Sequence, residues 1–101
     1  MALKQLLAIK EIVRETSMSV SLSFALPESL KEDYKFIAGQ YLTLETMING
    51  DLTSRDYSIS SSPNSGELNV TIKEIKNGFF SSYANKSMKK GDFLKVATTT
   101  G

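Results

Sequence analysis

The clearest pattern in the chain runs from Met18 to Leu26. Met18, Val20, Leu22, Phe24 and Leu26 alternate with Ser17, Ser19, Ser21 and Ser23 until Ala25, the period-two signature of a strand with one buried face. Before it, Leu6 to Arg14 is rich in Leu, Ile and Val, but its apolar phase changes around Glu11. Leu7 and Ile9 share one register and Ile12 the other, which a β-bulge in a first strand accounts for. Pro27 ends the second strand, and Glu28 to Lys35 reads as a charged connection with a short helical turn under Leu30 and Tyr34. Gly39-Gln40-Tyr41 opens a third strand, in which Leu42, Leu44 and Ile48 share a face with Thr46.

Asn49-Gly50 is the strongest hairpin signal, because both residues tolerate the positive φ of a type I′ turn. The turn returns the backbone into Leu52 to Ser60 and predicts that Arg55 to Ser58 lies antiparallel to Tyr41 to Glu45. After a turn at Asn64-Ser65-Gly66, Leu68, Val70 and Ile72 alternate with Asn69, Thr71 and Lys73 as another half-buried strand. Beyond Asn77-Gly78 the period lengthens: Phe80, Tyr83 or Ala84, and Ser87 or Met88 recur as on one face of a short helix. Lys89 and Lys90 suit the negative end of its dipole, and Gly91 suits its C-cap. Leu94 and Val96 mark a last strand. The prediction is an all-β fold, a small antiparallel barrel or sandwich from Leu6 to Val96, with its one helix between Phe79 and Met88.

Composition narrows the chemistry. The 101 residues suffice for one core. Twelve basic residues nearly cancel eleven acidic ones, for a net charge of +1, so no global field attracts nucleic acid or an anionic membrane. The absence of Cys and His excludes disulfides, thiolate zinc sites, Cys-ligated clusters, His-ligated metals and Ser-His-Asp nucleophiles. No metal site is expected. Reactivity has to come from a bound cofactor that the protein positions. Gln5 to Ile9, between Lys4 and Lys10, is too short for a signal-peptide core or a membrane span, which points to a cytoplasmic protein.

Two stretches carry candidate chemistry. In Arg55-Asp56-Tyr57-Ser58-Ile59-Ser60-Ser61-Ser62-Pro63, Arg55 offers a fork of donors suited to phosphate, Tyr57 an aromatic plane, and Ser58 a hydroxyl. Together they fit a flat heterocycle with a phosphate tail, although a solvated Arg and a half-buried Tyr on an edge strand give the same pattern. In Gly78-Phe79-Phe80-Ser81-Ser82, a strand gives way to a helix whose unpaired amides suit an anion, while Ser81 suits an ordinary N-cap. A non-catalytic barrel that binds a protein partner or single-stranded nucleic acid is the alternative. The interleaving of Lys with Glu disfavours nucleic acid, which needs a basic groove.

The segments Gly39-Gln40-Tyr41-Leu42-Thr43, Arg55-Asp56-Tyr57-Ser58, Gly78-Phe79-Phe80-Ser81 and Gly91-Asp92 occur in the order and spacing of the ferredoxin reductase-type flavin domains, which the chain resembles from about Leu6 to Gly101. Through Tyr34 to Gln40, Arg55 to Ile59 and Gly78 to Ala84 it is most similar to the flavin domains of phenylacetyl-CoA epoxidase reductases, which serve phenylacetate degradation. One departure is that Thr98 and Thr99 stand where the family usually has a Pro.

The resemblance implies a six-stranded antiparallel Greek-key barrel over residues 1–101 that binds FAD, with FMN the less favoured cofactor. It implies that Arg55 and Ser81 neutralise the diphosphate, with Gly78, Phe80 and Ser82 at the same strand-to-helix junction. Tyr57 covers the isoalloxazine ring, Ser58 hydrogen-bonds near its reactive nitrogen, and backbone groups of Ile72, Lys73 and Glu74 meet the pyrimidine edge. It also implies electron passage from NADH or NADPH through the flavin to an iron–sulfur centre. The partners it implies are C-terminal NAD(P)-binding and ferredoxin-type domains, and an oxygenase component as acceptor. These residues hold neither a glycine-rich dinucleotide fingerprint nor a Cys, so they account for the flavin domain alone, and the isolated chain is expected to be inactive.

Overall fold

The computed structural model describes residues 4–97. In chain order it contains β1 (Lys4–Thr16), β2 (Ser19–Phe24), a 3-10 turn (Glu28–Leu30), β3 (Tyr41–Ile48), β4 (Asp51–Ser58), β5 (Asn69–Lys73), α1 (Phe79–Lys86) and β6 (Phe93–Ala97). The six strands form one sheet in the order β4-β3-β6-β1-β2-β5, and every neighbouring pair is antiparallel. The last strand is inserted between the first and the third, a Greek-key crossing. The expected all-β barrel with one short helix is therefore what forms. Thr98 and Thr99 lie outside the described residues.

The bend that curls this sheet sits in β1. Lys4 to Ala8 pairs with β6, whereas Ile9 to Thr16 pairs with β2. Between them Ile9 faces Phe24 and Glu11 faces Ser23, so Lys10 is an extra residue, one position before the expected break at Glu11. A bulge of this kind bends and twists its strand. Consequently the inward set changes phase there, and Leu7, Ile9, Val20, Leu22 and Phe24 all reach one core.

The hairpin forms as its sequence demands. Asn49 and Gly50 both take positive φ, 51° and 85°, and Ile48 pairs with Asp51 around them. Tyr41 then faces Ser58 and Leu44 faces Arg55, the expected register. The 3-10 turn delivers Tyr34 to the core, where its hydroxyl donates to Val96 O at 2.6 Å. Burial pushes the Tyr34 phenol above its ordinary pKa, with nearby Asp33 adding to the rise.

Two boundaries differ from expectation. β2 stops at Phe24, leaving Met18 exposed and Leu26 half-buried. The helix, expected between Phe79 and Met88, runs to Lys86, and its C-cap is Ser87 rather than Gly91. The ladder breaks after Ser87: the Met88 N–H reaches back to Tyr83 O at 3.1 Å, Arg14 donates to the Asn85 carbonyl, and the Lys89 N–H goes to Asp92 Oδ2 at 2.9 Å. Gly91, with φ +93°, belongs to the following turn, where its N–H donates to Ile9 O at 2.9 Å. Lys86, rather than Lys89 or Lys90, occupies the last helical turn.

Candidate functional site

The barrel is closed unequally. Its edge strands β4 and β5 meet at an Ile59–Val70 bridge, where the Ser60 N–H donates to Asn69 O at 2.8 Å. Away from this bridge a seam lies between them, with α1 packed against both strands. Phe80 is driven into the core from the first turn of α1, only 1% exposed, and its ring lies 5.7 Å from that of Tyr57 at a tilt of 42°. Burying such a side chain stabilises by roughly 1.5–3 kcal/mol. The helix start is thereby fixed to β4.

Strand geometry divides the Arg55–Ser58 stretch between two faces. Arg55 and Tyr57 stand opposite Leu44 and Leu42, so they share the inner face with the core. Tyr57 is half-buried, and this burial raises its phenol pKa, an effect the Arg55 charge opposes. Arg55 is exposed, and its one hydrogen bond among the described residues runs from Nη1 to Ser54 O at 2.7 Å. Ser58 has its side chain on the outer face, opposite Tyr41. Its backbone is placed otherwise. Because the Ile59 N–H donates to Gln40 O at 2.9 Å, ladder alternation turns the peptide groups of Asp56 and Ser58 away from β3 and into the seam.

The facing edge follows the same rule. The Glu74 N–H donates to Met18 O at 2.6 Å, so Ile72 and Glu74 direct their peptide groups to β2, and Lys73 turns its own to the seam. The Ile72 side chain is fully buried. Of these three residues, Lys73 alone brings backbone groups to the seam.

At the helix start, Gly78 is the N-cap and no side chain caps it. The Ser82 N–H donates to Gly78 O at 3.0 Å, which leaves the N–H groups of Phe79, Phe80 and Ser81 without intrahelical acceptors. Ser81 is buried, and its Oγ accepts from the Ile75 N–H at 3.1 Å and donates to Gly78 O at 3.3 Å. It braces the turn from inside the helix and is not the N-cap. Ser82 donates to Glu74 Oε2 at 3.2 Å, and that carboxylate also pairs with Lys86 at 3.2 Å. A cleft of about 460 Å³ opens beside this turn, lined by Gly78, Phe79, Ser82, Tyr83 and the hairpin tip at Ile48-Asn49.

Sequence reasoning passed over Asn85. Its signal was a polar residue on the apolar stripe of the helix, four positions after Ser81. The amide Nδ2 donates to Ile72 O at 3.1 Å and to Ser81 O at 2.9 Å, and Oδ1 accepts from Arg14 Nη1 at 2.8 Å.

The model of the oxidoreductase FAD-binding domain matches residues 5–101. This chain belongs to that family. The flavin domain is 38% identical over 95 residues to a 1,2-phenylacetyl-CoA epoxidase component from Escherichia coli, covering 94% of this chain and 27% of that protein. It is 32% identical over 100 residues to the ferredoxin reductase component of 3-ketosteroid-9-alpha-monooxygenase from Rhodococcus rhodochrous, covering 95% and 28%. Among solved structures it superposes on a ferredoxin NADP+ reductase from Neisseria gonorrhoeae with bound FAD and NADP, at a TM-score of 0.80 and 25% identity, covering 97% of this chain and 38% of that one. The flavin domain thus spans about a quarter of the length of these curated relatives.

The residues present fit the cofactor that this family takes. The seam offers peptide groups from both edges to the polar rim of a flat ring, with Tyr57 beside it. Unpaired helix amides and the Arg55 guanidinium suit a diphosphate. The carboxylate at this junction, Glu74, is already held by Lys86 and Ser82. Among the described residues no helix is long and apolar enough to cross a membrane.

Proposed function

We propose that the chain is the FAD-holding part of a cytoplasmic NAD(P)H-dependent oxidoreductase. Its electrons pass to an iron–sulfur centre carried by a further domain and then to an oxygenase component. The observation that supports this most is the seam between β4 and β5, flanked by the Tyr57 ring and ending at an uncapped helix start. Bound there, FAD supplies the exchange between two-electron and one-electron chemistry. The NAD(P)-binding and ferredoxin-type domains are expected outside residues 1–101. Kinship with a phenylacetyl-CoA epoxidase component supports a role in phenylacetate degradation.

The chain's own groups have separable tasks in this reading. Arg55 and the amides of Phe79 to Ser81 hold the phosphates, and Gly78, with no Cβ, lets the turn that presents those amides close on Ile75 and Ser81. Tyr57 covers one ring face, and Phe80 supports Tyr57 from the core. Ser58 and Lys73 present backbone groups to opposite edges of the ring. The Ser58 hydroxyl, on the outer face, reaches the ring only around the strand edge, so its N–H is the better donor.

The test is a titration of FAD with the chain, following flavin fluorescence, then gel filtration with the absorbance spectrum recorded. Saturable quenching at one flavin per chain is expected. FAD fluorescence unchanged across the titration, with a colourless protein peak, would overturn the reading.

A further inference from the structure

Asn85 is 7% exposed on a helix of eight residues. A helix this short gains little from its own hydrogen bonds, so its seat is decided by what it packs on. Phe80 and Ala84 supply apolar contact, which has no direction. Asn85 supplies direction. Both N–H groups of its amide are used, one on a carbonyl of β5 and one on a carbonyl of α1.

Those two carbonyls belong to the elements that face the seam from different sides. Ile72 precedes Lys73, whose peptide groups turn to the seam, and Ser81 contributes one of the unpaired N–H groups at the helix start. Arg14 decides which way the amide points. Its guanidinium donates to both Asn85 Oδ1 and Asn85 O, so the amide oxygen faces outward and the NH2 inward. The reverse orientation would set an oxygen against two carbonyls.

We propose that Asn85, clamped by Arg14, is a positioning residue that fixes the start of α1 relative to the seam edge of β5, so that the ring and the phosphates of one flavin nucleotide are held at once. The inference rests on the flavin reading above and adds a consequence: the strut governs how much the phosphates contribute to affinity, while the ring alone binds without it.

The experiment compares riboflavin, FMN and FAD binding to the wild-type chain, Asn85→Leu and Arg14→Gln by equilibrium dialysis, alongside thermal melts. In wild type both nucleotides should bind more tightly than riboflavin. Asn85→Leu keeps the branching at Cγ and removes the directional bonds; FMN and FAD affinity should fall about tenfold or more, which corresponds to about 1.4 kcal/mol, and riboflavin affinity should stay within about twofold. Arg14→Gln changes an exposed side chain and should give the same selective loss at about threefold, even if Asn85→Leu fails to fold. An equal loss for all three flavins, or no loss in either variant, would overturn the strut alone. A wild-type chain that takes up none of the three would overturn the flavin reading with it.

Discussion

Gly78 offers a sharp test of how tightly the helix start is built. A Cβ added there would lie 2.5 Å from Ile75 Cγ1 and 2.5 Å from Ser81 Oγ, closer than real contacts allow. Its backbone, at φ −87° and ψ 105°, is one that alanine adopts freely. Any penalty in Gly78→Ala is therefore steric. Overpacking of this kind costs roughly 1–3 kcal/mol, and the reduced freedom of the unfolded chain returns about 0.4–1 kcal/mol. The net loss should be about 1–2 kcal/mol, or a fall in Tm of about 4–15 °C for a domain of this size.

The two contacts differ in how readily they yield. Ile75 is 60% exposed and can swing outward. Ser81 Oγ is held by the Ile75 N–H and Gly78 O, and moving it breaks both bonds. Urea unfolding of Gly78→Ala, Ile75→Ala and the double variant separates them by the coupling energy. Ile75→Ala alone should be nearly neutral, and the double variant should remain destabilised, because Ser81 still collides. Gly66→Ala is the contrast: nothing lies within 4 Å of the added Cβ, but φ is +76°, so its cost of about 1–2 kcal/mol is backbone strain and no side-chain deletion relieves it. An unchanged or raised Tm in Gly78→Ala would refute the steric argument.

Other outcomes follow from the seam. Arg55→Ala should weaken FAD binding by about 1.5–3 kcal/mol, since a charge-assisted bond to phosphate is lost, and calorimetry checks this. Tyr57→Ala should weaken binding and brighten the flavin that remains bound, because aromatic contact quenches it; equal brightness would place the ring in the core only. Tyr34→Phe should cost about 1 kcal/mol near neutral pH through the lost hydrogen bond to Val96 O. The raised Tyr34 pKa stabilises fully below the ordinary tyrosine value of 10.0, and that stability is lost as pH rises through the folded value, so the gap between wild type and Tyr34→Phe should narrow above pH 10.0 in urea melts. NADH or NADPH added to the flavin-loaded chain under anaerobic conditions should bleach it no faster than free flavin.

Much of this fold was legible because a strand reports its buried face every second residue. The runs at Val20-Leu22-Phe24 and Leu68-Val70-Ile72 could be read directly, and Asn49-Gly50 fixed the register that sets Arg55 opposite Leu44. The same period of two divides the candidate site. Adjacent residues such as Tyr57 and Ser58 cannot both present side chains to one ring face, so Ser58 reaches the seam through its peptide group. A motif names residue types; it does not say whether a residue acts through its side chain or its backbone. The helix shows a different limit. Its apolar stripe was visible, but the bonds that orient it include Arg14, a residue 71 positions away from Asn85 whose guanidinium donates to both the Asn85 amide oxygen and its carbonyl. No local signal encodes that bond, because its two halves come from β1 and α1 and meet only once the barrel has closed. The polar residue on the buried stripe was the one trace it left. Asn85 interrupts the apolar pattern of the stripe, and in the fold it is the point where two strands and the helix are joined.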